Sequence, residues 1–193
     1  MKMPIAILAA VLACITTSAY SQESEGGQRG EVSLSNDTLQ LRYVGEDGAV
    51  GGNGQLTGAF FLSEERDIVL SAGALFPANL DIGRLTLRFG PQVYAALLDE
   101  ENNDVLAMSV GAEARFVLNR RMGLAVSGQA FYAPDILTFG AADNLTDLSA
   151  RVELQAGQIL AFAGMRWFEF DLIEGGGEQT LQEELFVGVG YRF

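Results

Sequence analysis

Leu106-Ala107-Met108-Ser109-Val110-Gly111-Ala112-Glu113-Ala114-Arg115-Phe116 is the stretch that decides the fold. Leu106, Met108, Val110, Ala112, Ala114 and Phe116 fall on one parity. Ala107, Ser109, Gly111, Glu113 and Arg115 fall on the other. Successive side chains of an extended strand point to opposite sides, so the stretch reads as a strand with one apolar face and one face of small, sparsely charged residues. A helical period does not explain it.

The same pattern recurs outward from there. On the N-terminal side Leu85, Leu87, Phe89, Val93, Ala95 and Leu97 oppose Arg84, Thr86, Arg88, Gly90 and Gln92. On the C-terminal side Leu148, Ala150, Val152, Leu154 and Ala156 oppose Ser149, Arg151, Glu153 and Gln155, and the last residues set Leu185, Val187, Val189, Tyr191 and Phe193 against Phe186, Gly188, Gly190 and Arg192. Weaker alternation covers residues 55–62, 68–76, 123–132 and 159–170, giving nine strands from Thr38 onward. Val32 and Leu34 have the opposite phase to Leu39, Leu41 and Tyr43, and the change falls at Asn36-Asp37, a good turn pair. Read as a hairpin, it adds a first strand and gives ten; a bulge there would also flip the phase, and eight strands stay open. Connections alternate between short (residues 77–83, 119–121, 157–158) and longer, acidic ones (99–104, 134–147, 171–184). The expected fold is therefore all-β: a small antiparallel up-and-down barrel spanning residues 31–193, in the layout of a transmembrane barrel with short turns at one end.

The polar face decides which way such a barrel faces. A soluble calycin-like barrel carrying an apolar ligand points its apolar face inward and presents a solvated exterior rich in lysine and glutamate. Here the polar face carries glycine, alanine, serine and threonine with few charges of both signs: Arg84, Arg88, Glu113, Arg115, Arg151, Glu153 and Arg166. Small residues and paired charges suit a narrow lumen, where unpaired charge is costly. The apolar face is accordingly expected to meet lipid. Tyr43, Phe76, Phe116, Tyr132, Trp167, Tyr191 and Phe193 lie toward strand ends, as in interfacial girdles.

Composition narrows the function. The 193 residues carry a formal net charge of −13, which becomes −14 without Lys2, so nucleic acid is excluded as a partner. There is no histidine, and the one cysteine is Cys14. Serine–histidine and cysteine–histidine catalysis and the usual zinc sites are therefore excluded. Glu113 and Glu153 each have an arginine two residues away on the same face, which makes them paired lumen charges and not an acid–base couple. The chain is read as non-enzymatic and without a cofactor. Asp99, Glu100, Glu101 and Asp104 form the best candidate for a divalent metal, although they lack the glycine and spacing of an EF-hand. Gly175-Gly176-Gly177 has no strand–helix context and reads as a loop tip.

Met1-Lys2, an uncharged run from Met3 to Ile15 and the small-x-small site Ala19-Tyr20-Ser21 mark residues 1–21 as a secretory signal peptide. The run is too short to span a bilayer. Val11-Leu12-Ala13-Cys14 is an imperfect lipobox, so lipidation of Cys14 competes with simple cleavage. Residues 22–30 are polar and glycine-rich, a flexible lead-in.

The closing alternation Leu185, Val187, Val189, Tyr191 and terminal Phe193 resembles the signature by which bacterial outer-membrane barrels are read by the insertion machinery. Phe131-Tyr132-Ala133-Pro134-Asp135, the loop and strand over 141–155, and Gly188-Val189-Gly190-Tyr191-Arg192-Phe193 make the chain similar to the YfaZ family of proteobacterial outer-membrane barrels. That resemblance implies a barrel of the bacterial outer membrane, of a kind sometimes called a porin; the chain itself is read as a monomer with a narrow lumen, a structural or small porin-like protein surrounded by lipid and lipopolysaccharide. The resemblance implies no catalytic residues. The alternatives are a barrel binding ions or a partner through its acidic loops and a soluble exported calycin-like barrel carrying an apolar ligand.

Overall fold

The computed structural model describes residues 28–51, 53–64, 67–78, 83–97, 104–172 and 178–193. The expected signal peptide, the tri-glycine tip and Asp99, Glu100 and Glu101 lie outside them.

The strands are β1 (Arg29–Leu34), β2 (Thr38–Val50), β3 (Gly54–Ser63), β4 (Ile68–Pro77), β5 (Leu85–Leu97), β6 (Val105–Asn119), β7 (Leu124–Ala133), β8 (Thr138–Gly140), β9 (Ala142–Ala156), β10 (Ile159–Leu172) and β11 (Glu178–Arg192). Each long strand pairs antiparallel with its neighbours in the chain, and β1 pairs with β11, closing the sheet on itself. The result is an all-β, ten-stranded antiparallel barrel, because β8 is no separate stave. It continues the line of β7 along β6: Val110 faces Tyr132, and Ala107 already faces Thr138. The excess chain between them loops out of the wall as one turn of 3-10 helix, Asp135–Leu137, entered at Pro134. Proline has no N–H to give to a ladder, and the Asp135 carboxylate accepts the Ile136 N–H at 2.7 Å, so the sequence itself specifies the interruption.

The start of β1 and the end of β11 meet at one end of the barrel, where Arg29 faces Arg192 and the Phe193 N–H donates to the Gln28 carbonyl at 3.0 Å. β1 thus starts inside the stretch expected to be a flexible lead-in, because Arg29 and Gly30 find partners on both β2 and β11. The phase change at Asn36-Asp37 is the β1–β2 hairpin. Two of the far-end connections are shorter than the sequence suggested: β9 starts at Ala142, and β10 and β11 extend to Leu172 and back to Glu178.

The alternation sorts into two surfaces. Val152 is 51% exposed on the outside, whereas the Arg151 side chain is 10% exposed on the inside. Leu70, Phe89, Leu106, Val110, Leu154, Leu185, Val187 and Val189 are exposed like Val152. So much apolar area on a water-soluble surface would drive aggregation. This orientation is the reverse of a soluble carrier with a greasy interior. Tyr43 and Tyr191 flank Gly30 in register, and Phe76 faces Phe89, which puts exposed rings around the terminal end; Tyr132, Phe139 and Trp167 sit nearer the far end.

Glycine has a steric role on the inner wall. A side chain at Gly188 would overlap the ring of its register partner Phe162, and one at Gly111 the ring of Phe131. These rings lie against the wall because the facing residue has no Cβ.

Candidate functional site

The interior holds most of the buried ion pairs among the described residues, and it is layered along the axis. Nearest the termini, Glu31 on β1 and Glu153 on β9, both nearly fully buried, tie together three arginines. Arg29 Nε lies 2.6 Å from Glu31, Arg151 Nη1 2.7 Å from Glu31, Arg151 Nε 2.9 Å from Glu153, and Arg115 Nε 2.8 Å from Glu153. Ser127 Oγ donates to Glu153 at 2.6 Å, and the Arg151 guanidinium lies over the Phe162 ring at 4.6 Å. Four strands are thereby cross-linked through the lumen. Arg42 reaches across from β2 to Glu113 at 2.8 Å and Gln129 at 3.1 Å. Arg88 stands in register with Glu113 on the inner face of β5.

Above this network is a small polar chamber lined by Ser33, Gln40, Ser71, Gln92, Gln129 and Ser149, among others. Its free space is about 30 Å³, room for about two waters.

The chamber's roof is one buried cluster. Asp147 is 0% exposed and accepts Nε and Nη2 of Arg166, both at 2.9 Å, and the Tyr94 hydroxyl, also at 2.9 Å. The bidentate fork and the third donor satisfy a carboxylate that burial would otherwise make very costly. Arg166 lies on the rings of Phe168 (4.6 Å) and Phe61 (5.5 Å).

Beyond that pair the interior turns apolar. Phe61, Val69, Tyr94, Ala96, Val105, Ala107, Ala133, Ala142, Leu145, Phe168 and Phe170 form one packed cluster. Phe168 is its hub, with ring centroids 5.8 Å from Phe61, 5.7 Å from Tyr94 and 5.5 Å from Phe170. A lumen polar throughout was the expectation; the far half is instead a hydrophobic plug. Its small members, Ala96, Ala107, Ala133 and Ala142, let the large rings fill the bore.

Of the seven charges singled out from sequence, Glu113, Arg115, Arg151, Glu153 and Arg166 enter these pairs and Arg88 is inward. Arg84 is exposed on the turn before β5, where its carbonyl accepts the Val117 N–H. Glu31, Arg42, Tyr94 and Asp147 were missed. Parity would have found Asp147, which continues the polar face of Ser149, Arg151 and Glu153 by one more step. Of the metal candidates, Asp104 is exposed, and its carbonyl accepts the Ala141 N–H at 3.2 Å. No group of three or more ligating side chains gathers among the described residues.

A closed antiparallel barrel with an apolar skin and an ion-paired interior is the class this chain falls in. The family model described as YfaZ precursor matches residues 2–193, and the chain belongs to that family. No curated protein matches it. Solved structures with distant likeness are a bacterial polysaccharide outer membrane secretin (TM-score 0.48, 14% identity, covering 91% of this chain and 72% of that one) and the NanC porin (0.43, 10%, 87% and 98%). The outer membrane channel DcaP of Acinetobacter baumannii is similar at TM-score 0.43 and 9% identity over 90% of this chain, which spans 60% of that channel's length.

Proposed function

We propose that the protein is an outer-membrane barrel whose bore is closed at rest, acting as a structural or partner-binding element of that membrane and not as a diffusion pore. The observation that supports it is the packing of the far half: the Arg166–Asp147–Tyr94 cluster and the buried rings of Phe61, Phe168 and Phe170 occupy space that a channel needs for water. Ten strands enclose little more than their own side chains, so the fold's dimensions agree with closure. The exposed apolar belt and its flanking aromatic rings suit burial in lipid. In this reading the chain ends and short turns face the periplasm and the acidic far end faces outward.

Two measurements test it. The protein should partition with detergent-extracted membranes and migrate faster on gels when unheated than when boiled; release as a soluble species on osmotic shock would refute the membrane placement. Reconstituted in planar bilayers, it should show no stable conductance steps. Steps comparable with those of an open porin would refute closure while leaving the membrane placement intact.

A further inference from the structure

The terminal-end mouth of the barrel has its own chemistry. The turn between β6 and β7 and the turn between β9 and β10 flank an open cavity of about 350 Å³. Its lining is Arg115, Val117, Arg120, Arg121, Gly123, Gln155 and Gly157. The two turns are locked together, because the Gln155 N–H donates to the Gly123 carbonyl at 2.9 Å. Gly123 and Gly157 hold positive φ angles of 67° and 63°, and a side chain at Gly157 would meet nothing, so that rim stays open. Three guanidinium groups converge on this space. Arg115 spends its Nε on Glu153, and Arg120 gives one Nη to the Gly83 carbonyl at 2.6 Å. Each guanidinium has five donors, so both retain several. Arg121 is exposed and has no side-chain partner among the described residues.

The local charge balance is unusual for so acidic a protein. Arg84, Arg88, Arg115, Arg120 and Arg121 lie together at this end of β5, β6 and β7. The described acids nearby, Glu113 and Glu153, are already engaged by Arg42, Arg115 and Arg151. Asp81 lies outside the described residues.

We propose that this mouth is a binding site for a small oligoanion, a solute carrying clustered phosphate or carboxylate oxygens, held by Arg120 and Arg121 with Arg115 at its base. Planar forks match such oxygens in pairs, and a site walled by protein on two sides is screened less than open surface. The site is defined by the barrel's geometry; only its periplasmic address depends on the membrane orientation proposed above.

The test is titration calorimetry on the detergent-folded full-length protein at low ionic strength, with pyrophosphate and citrate as parallel probes for phosphoryl and carboxyl carriers. Saturable one-site binding of at least one probe is expected, weakening as salt is added. The double variant Arg120→Gln/Arg121→Gln should lose affinity by about tenfold or more. Arg192→Gln, which removes a charge from the same end but not from the cavity, should bind as the parent does. The proposal is overturned if neither probe saturates at millimolar concentration, or if Arg192→Gln weakens binding as much as the double variant. Heat-modifiable migration of each variant verifies that it is folded. Planar-bilayer conductance plays no part in the readout, so failure here is distinct from failure of the closed-barrel reading.

Discussion

The two halves of the bore solve the problem of filling a narrow cylinder in opposite ways. Toward the termini, long side chains from opposite walls meet as ion pairs, from Arg29 through Glu31, Arg151 and Glu153 to Arg115. Toward the far end, rings and alanines make up most of the packing, and the Tyr94 hydroxyl reaches back to Asp147. Asp147 and Arg166 stand at the boundary, the carboxylate held by hydrogen bonds and the guanidinium stacked on the first rings of the plug. The difference teaches that polarity on a strand's inner face does not make a channel. Polar walls close the bore when each buried carboxylate is shared among arginines reaching in from several strands.

This contrast can be broken experimentally, and the largest effect is expected at the boundary. Asp147→Ala strands Arg166 in a site with no other counter-charge described, and should destabilise the folded barrel by about 3–5 kcal/mol in reversible denaturant unfolding. Adding Arg166→Met to that variant should recover much of the loss; if the double variant is no more stable than the single one, unpaired charge is not the cause. Phe168→Ala removes the hub of the plug and should cost about 3 kcal/mol or more. It should also admit small ions, read as the appearance of conductance in planar bilayers. In the ion-paired half the effect is smaller, because Arg115 is partly solvated: Glu153→Gln should cost about 1.5–3 kcal/mol. Equal losses at Glu153 and Asp147 would erase the distinction drawn between the halves. Smallest in stability is deletion of Phe193, at a chain end outside both layers. It should leave the midpoint of unfolding of assembled protein within about 0.5 kcal/mol while slowing assembly into membranes, followed by the heat-modifiable fraction over time. Unaltered assembly kinetics would remove the terminal strand's role as a signal.

Much of the wall was legible in the sequence because each stave has unlike surroundings on its two sides, so parity alone orients Val152 outward and Arg151 inward. The phase change at Asn36-Asp37 favoured ten strands over eight, and the ladders on both sides of β1 bear out ten. The plug was not legible for the same reason: at Trp167-Phe168-Glu169-Phe170 rings occupy both parities, and period two loses its contrast. Pairing partners were hidden too. Arg42 meets Glu113 across the bore and 71 positions along the chain, a match set by strand order and stagger that no local spacing records. Asp147 looked like the end of an acidic loop until β9 was seen to begin at Ala142.

The six-residue β1 carries one more consequence. Its ladder to β11 runs only from Leu34 opposite Val187 to Arg29 opposite Arg192, and its ladder to β2 is equally short. Cylindrical closure therefore depends on the least extensive pair of ladders around the circumference. If the cylinder breathes, the slit opens along β1, with Arg151 reaching through Glu31 as the latch that draws it shut.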